Sequence, residues 1–149
     1  MIEIAAIDHI VLRTSRLEQM LRFYCQVLGC RVERETPPQT GLIQLRAGSA
    51  LIDIVAVDSE LGRLGGAAPG AGGNNLDHFC LQLKPVSERD MQAHLRSHGV
   101  AVGEFDRRYG AQGFGPSLYI RDPEGNTIEL KSQLQPRESG VGQGGEQAS

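Results

Sequence analysis

Two histidines and two carboxylates fall at matching places in two repeated stretches of this chain. His9 sits in Ile7-Asp8-His9-Ile10-Val11-Leu12-Arg13, and His78 sits in Leu76-Asp77-His78-Phe79-Cys80-Leu81-Gln82. Asp53 and Glu129 close the stretches Ile43–Asp53 and Tyr119–Glu129, which align without a gap. A single His in a strand is more often a satisfied polar residue than a ligand. The repeat changes that weighting, because the chelating residues come as two equivalent pairs. Two neutral nitrogens with two anionic oxygens suit Zn, Ni, Co, Mn or Fe(II) better than Mg or Ca. Such a set leaves positions for water or substrate oxygens, as an open, catalytic site requires. The expected metal ligands are therefore His9, Asp53, His78 and Glu129, with Asp53 reaching one carbon less far than Glu129 does.

Other polar residues lie close to these in sequence. Tyr119 shares strand parity with Ser117 and Arg121. It could donate to a bound oxyanion, or be a half-buried structural tyrosine. Cys80 reads as core. Arg107-Arg108-Tyr109 precedes the glycine-rich stretch Gly110–Gly115, which reads as a solvated loop, with a mobile lid as the alternative. His94 and His98 read as solvated, with His98 helping a helix C-terminus.

The elements that would position these residues repeat as well. Each His lies in an alternating run of strand length. A helix follows each run. The first opens with a capping-box pattern, Ser15-Arg16-Leu17-Glu18, carries Leu17, Met20, Leu21, Tyr24 and Leu28 on one face, and stops at Gly29. The second opens with Ser87-Glu88-Arg89-Asp90, has Val86 and Met91 placed as a hydrophobic staple, and stops at Gly99. Short strands follow: Arg31–Glu35, Leu42–Arg46 and Ala50–Val57 in the first half, then Ala101–Phe105, Ser117–Arg121 and Thr127–Lys131 in the second. The turn Asp122-Pro123-Glu124-Gly125 suits type I with a bulge.

Each half thus reads β-α-β-β-β. The expected fold is α+β, with two paired βαβββ modules forming a curved, cleft-lining mixed sheet. One domain is expected over 1–135, with module 1 at 5–57, a linker at 58–75 holding six glycines, and module 2 at 76–133. The tail 136–149 reads as disordered. Strand alternation puts Ile10/Leu12, Ile52/Ile54, Phe79/Leu81 and Ile128/Leu130 against the helices. The histidines and carboxylates then share the opposite faces.

Composition narrows the partners. With 149 residues, 40% hydrophobic and 22% charged, the chain is ordinary for one globular domain. Its longest apolar runs fall far short of the ~20 residues of a membrane span. The N-terminus carries no basic region or cleavage site of a secretory signal. A net charge of −3 gives no reason to expect nucleic acid or an anionic membrane. Cys25, Cys30 and Cys80 have no CxxC spacing and read as reduced thiols of a cytoplasmic protein. With no Trp and 5% aromatic residues, stacking platforms for single strands are not expected. A small-molecule substrate remains as the natural partner.

Over about residues 5 to 133 the sequence resembles the vicinal oxygen chelate superfamily, which includes glyoxalase I, fosfomycin-resistance proteins, extradiol dioxygenases, methylmalonyl-CoA epimerase and bleomycin-resistance proteins. The resemblance rests on Ile7-Asp8-His9, Phe23-Tyr24-Cys25-Gln26-Val27-Leu28-Gly29, Leu76-Asp77-His78 and Asp122-Pro123-Glu124-Gly125-Asn126-Thr127-Ile128-Glu129-Leu130. It implies the paired βαβββ fold, a divalent metal held by His9, His78 and Glu129, and frequent dimers. In glyoxalase I the fourth ligand falls on Asp53. In the fosfomycin enzymes a tyrosine matches Tyr119, but their threonine is Val11 here and no clear cationic loop for a phosphonate is evident. The leading expectation is a lyase or isomerase of the glyoxalase I type, acting on a small oxygenated metabolite or its thiol adduct through a metal-stabilised enediolate. Glu129 would be the base, with Asp53 able to serve on the other face. The alternatives are a non-catalytic drug-binding resistance protein, an Fe(II) dioxygenase and a thiol transferase. A homodimer is expected, with His9 and Asp53 from one subunit meeting His78 and Glu129 from the other. The alternative is a site within one chain.

Overall fold

The computed structural model describes residues 3–72 and 76–133. In β1 (His9–Thr14), Leu12 and Thr14 are buried and Ile10 is partly buried, while His9 and Val11 are exposed. The helical segment that follows, α1 (Leu17–Arg22), continues as a π-helical turn over Phe23–Val27 and buries Met20, Phe23 and Tyr24. Then come β2 (Arg31–Glu35), β3 (Leu42–Ala47) and β4 (Ala50–Ala56). After α2 (Glu60–Arg63) the plan repeats: β5 (Phe79–Leu83), α3 (Glu88–Ser97), β6 (Asp106–Gly110), β7 (Gly113–Arg121) and β8 (Thr127–Ser132).

The strand order is β1-β4-β3-β2 in one sheet and β5-β8-β7-β6 in the other. The first and last strands of each module pair in parallel, and the hairpin strands pair antiparallel. A parallel pair needs a long crossover, and the helix in each module supplies it. These are two separate, open four-stranded sheets, which corrects the expected curved, cleft-lining sheet. The physical reason is the β1–β4 and β5–β8 pairing. It completes each ladder within its own module, and no ladder joins the two sheets among the described residues.

Side chains join the modules instead. Met20, Tyr24 and Ile54 share one apolar cluster with Met91, Leu95, Leu118 and Ile128. At the seam the Tyr24 hydroxyl donates to Asp122 Oδ2 (2.7 Å), Thr14 Oγ1 donates to Glu124 Oε2 (2.6 Å), and His94 Nε2 donates to Val27 O (2.7 Å). Burial and the neighbouring Asp122 carboxylate hold the Tyr24 hydroxyl in its neutral form by raising its pKa.

Several local expectations are met. Ser87 caps α3, its Oγ accepting from Asp90 N at 3.0 Å. Gly29 (φ 74°) and Gly99 (φ 70°) end their helices in the left-handed region. In the last hairpin Gly125 N donates to Asp122 O (2.9 Å), with Gly125 at φ 90°.

Other expectations are corrected. Ser15 does not cap α1. Its hydroxyl turns to Glu124 of module 2 (3.3 Å), while Thr14 Oγ1 accepts from Arg16 N. Counted between equivalent register positions, the module 2 hairpin is one residue longer: five residues separate Arg121 from Thr127, and four separate Arg46 from Leu51. As a result Gln44 pairs with Asp53, and Tyr119 with Glu129. Gln44, not Ile43, is therefore the counterpart of Tyr119. Residues 101–105 lie outside the strands, with Gly103 N donating to Tyr119 O (3.3 Å). Gly110–Gly115 is neither loop nor lid. It falls in the β6–β7 hairpin, turned by Ala111-Gln112, where Tyr109 and Phe114 pack edge to face at 5.0 Å.

The segment expected to be a linker contains α2, and it is fastened down. The Arg13 guanidinium donates to the carbonyls of Gly62, Gly65, Gly66 and Ala67 at 2.7–3.1 Å. A Cβ at residue 65 would lie 2.4 Å from Arg13 Nε, so a side chain there would displace the Arg13 guanidinium. The disordered-tail expectation for 136–149 lies outside the described residues. No helix among the described residues is long and apolar enough to cross a membrane.

Candidate metal centre

Each sheet presents one face to the helices and carries the expected donors on the other, where the edge strands are exposed and the central strands buried. On that face of the first sheet Asp53 of β4 stands opposite Val11 of β1, one same-face position along from His9, near enough for its charge to act on the imidazole. His9 Nδ1 donates to Asp8 Oδ1 at 2.6 Å. That bond raises the His9 pKa above its ordinary value; desolvation opposes the shift and the Asp53 charge adds to it. Asp53 is only 3% exposed. Its Oδ2 accepts from Gln44 Nε2 at 3.2 Å, and its Oδ1 is buried with no hydrogen-bond partner among the described residues. A buried carboxylate oxygen without a donor is costly, which makes it a natural place for a cation.

The same face of the second sheet is more tightly organised. His78 Nδ1 donates to Asp77 Oδ2 at 2.6 Å, and His78 Nε2 stands 3.3 Å from Glu129 Oε2. With Nδ1–H given to Asp77, the Nε2 lone pair faces a carboxylate oxygen. Two acceptors so placed call for a cation between them, proton or metal. Glu129 Oε1 accepts from Ser117 Oγ at 2.6 Å. Arg108 donates to Ser117 O (2.7 Å) and Oγ (3.1 Å). Tyr119 is half-buried, with the Arg108 guanidinium 4.5 Å from its ring centroid and His78 packed edge-on at 5.3 Å. Lys131 is buried on the same face and donates to the carbonyls of Arg108 and Gly113.

Cys80 is exposed on this face rather than in the core, because β5 is an edge strand. Partial desolvation of the thiol by its neighbours and the Glu129 charge push its pKa up to about 11, partly offset by Lys131.

The expected ligands thus come together as two pairs, His9 with Asp53 and His78 with Glu129. Among the described residues no three His, Cys, Asp or Glu side chains are placed to hold one ion. Each pair supplies one imidazole and one carboxylate. The donor chemistry fits a divalent transition metal as two half-sites. Asp8 and Asp77, which the sequence reading missed, occupy Nδ1 of each His and so leave Nε2 as the nitrogen open to another partner. The repeated Asp-His dipeptide was the available signal for them. A groove of about 850 Å³ at the module seam, lined by Arg22, Phe23, His98 and Arg121, contains none of the four donors.

Two open sheets of equivalent topology, each with a His and a carboxylate on the face away from the helices, define a paired-module protein. A profile of the Glyoxalase/Bleomycin resistance protein/Dioxygenase superfamily matches residues 6–130, and the chain belongs to that superfamily. It is 29% identical over 125 residues to a catechol-2,3-dioxygenase of Bacillus subtilis (strain 168), a match covering 83% of this chain but only 40% of that protein. It is 30% identical over 130 residues to the virulence protein STM3117 of Salmonella typhimurium, covering 86% of this chain and 84% of that protein. Among solved structures, an integron cassette protein from the mobile metagenome of V. cholerae has a TM-score of 0.69 at 28% identity, covering 90% of this chain and 99% of that one.

Proposed function

We propose that this protein is a divalent-metal-dependent lyase or isomerase of the glyoxalase I type, acting on a small molecule with two adjacent oxygens. We further propose that it works as a homodimer in which each site takes His9 and Asp53 from one subunit and His78 and Glu129 from the other. The observation that carries this reading is the pair of half-sites at equivalent strand positions, one with an unpartnered buried oxygen. The absence of a three-donor cluster among the described residues of one chain favours the shared site over the single-chain one.

A divalent ion held by His9, Asp53, His78 and Glu129 would draw charge from two adjacent substrate oxygens and ease loss of the proton between them. The chain's own residues do the rest. Asp8 and Asp77 orient the imidazoles. Glu129 is fastened through Oε1 by Ser117. Glu129 was the expected base, but Asp53, held by one longer bond from Gln44, is the freer of the two carboxylates to take a substrate proton. Tyr119 would donate its hydroxyl to a developing oxyanion.

Metal analysis of protein purified without chelator tests the reading. The expected result is close to one bound transition-metal ion per chain, lost on chelation. Re-addition of metal at a hundredfold excess over its dissociation constant should stabilise the fold by roughly 2.7 kcal/mol. Trace metal only, with no thermal shift on adding Ni, Co, Zn, Mn or Fe, overturns it. A second reading, an Fe(II) dioxygenase using His9, His78 and Glu129, is favoured by the likeness to the catechol dioxygenase. Oxygen uptake with catechols after anaerobic iron loading, set against turnover of the methylglyoxal–glutathione adduct, chooses between the two.

A further inference from the structure

Ser117 is fully buried, and its hydroxyl carries one proton. That proton goes to Glu129 Oε1 at 2.6 Å. The Arg108 guanidinium approaches the same hydroxyl oxygen at 3.1 Å and the Ser117 carbonyl at 2.7 Å. An N–H donor at the hydroxyl oxygen leaves the serine no other way to point its proton than at Glu129. Glu129 Oε2 is thereby directed at His78 Nε2, 3.3 Å away.

Arg108 is itself restrained. Its guanidinium lies over the Tyr119 ring, Asp106 stands 3.8 Å from Nη2, and Lys131 holds the Arg108 carbonyl. Module 1 has only a looser counterpart: the exposed Arg34 donates through Nη1 to Gln44 Oε1 at 3.1 Å, and Gln44 Nε2 reaches Asp53 Oδ2 at 3.2 Å. The register position equivalent to Ser117 is Leu42, opposite Val55 as Ser117 is opposite Lys131. Asp53 has only the 3.2 Å contact from Gln44.

We infer that Ser117 and Arg108 are positioning residues that preassemble the His78–Glu129 half-site for a divalent ion, while the His9–Asp53 half adapts to it. The inference rests on the metal reading above and adds to it which half is built in advance and by which side chains. Outer partners of metal ligands typically change metal affinity 10–100-fold when removed.

The test is a calorimetric Co(II) titration of the full chain, with the visible Co(II) absorption recorded alongside. Ser117→Ala and Arg108→Ala are each expected to weaken binding about 10–100-fold and to shift the absorption bands. Free guanidinium ion added to Arg108→Ala is expected to restore part of the affinity. Arg108 is only half-buried, so its variant keeps the test alive if Ser117→Ala fails to fold; melting curves check both. Wild-type affinity and spectrum in Arg108→Ala, in a chain that does bind Co(II), overturn the clamp and leave the metal reading standing. A loss of affinity with unchanged bands and no guanidinium rescue also overturns it, as general destabilisation. A wild-type chain that binds no Co(II) overturns both.

Discussion

Asp53 and Glu129 occupy equivalent strand positions, yet their surroundings differ. Glu129 accepts from a buried serine and faces an imidazole. Asp53 keeps Oδ1 out of water with no donor among the described residues. An uncompensated buried polar atom costs about 1–3 kcal/mol. Replacing Asp53 by Val is therefore expected to raise the stability of the metal-free protein by an amount of that order, about 1–3 kcal/mol. The same change should abolish the thermal shift produced by added metal. Denaturant titrations with and without metal measure both effects. A destabilised metal-free variant would show that the oxygen is satisfied in solution and is not waiting for a cation.

At the scale of elements, two serines that look alike in sequence play different parts. Ser87 caps α3 through Asp90 N, and removing such a cap costs about 0.5–2 kcal/mol. Ser15 makes only a 3.3 Å bond to Glu124 at an exposed seam, with Thr14 holding Arg16 N in its place. Ser87→Ala is expected to lose stability in that range. Ser15→Ala should stay within about 0.5 kcal/mol, as for surface changes away from special contacts. Chemical denaturation of the two variants side by side gives the comparison, and equal losses would contradict the assigned caps. The π-helical turn at Phe23–Val27 belongs at this scale too. It carries the buried Tyr24 hydroxyl to Asp122 and the Val27 carbonyl to His94, so the first helix is shaped by what it meets in module 2.

Taken whole, the molecule leaves sheet edges and some apolar side chains in the open: Val11, Tyr109 and Phe114 are exposed, and each sheet has two edge strands. Edges and exposed apolar groups of this kind are places for association. If two copies share their sites, mixing a His9→Ala chain with a Glu129→Ala chain should restore intact sites in the mixed dimer. By two-fold symmetry one site in each mixed dimer carries both mutations and the other carries neither. Random exchange then recovers about a quarter of all sites, read as bound metal. Proven subunit exchange with no recovered metal binding removes the shared-site proposal.

What the sequence determined by itself was periodic and local. The repeat, the strand parity that separates Ile10 and Leu12 from His9, the Ser87 cap, the helix-ending glycines and the Asp122–Gly125 turn all depend on residues within a few positions of one another. The pairing of each His with its carboxylate followed from the same parity, because strands alternate faces wherever they lie. Tertiary structure decided the remainder. Ser15 lost its cap to Glu124, more than a hundred residues away. Cys80 came to the surface because β5 lies at a sheet edge. Glycines that suggested a loop became a hairpin stapled by Lys131. Ser117 gained its role from Arg108 on the neighbouring strand. The sheets stayed separate because β1 found β4 and β5 found β8, which completed each ladder within its own module. Such outcomes depend on which distant groups compete for the same hydrogen bonds, and only the packed chain settles that competition.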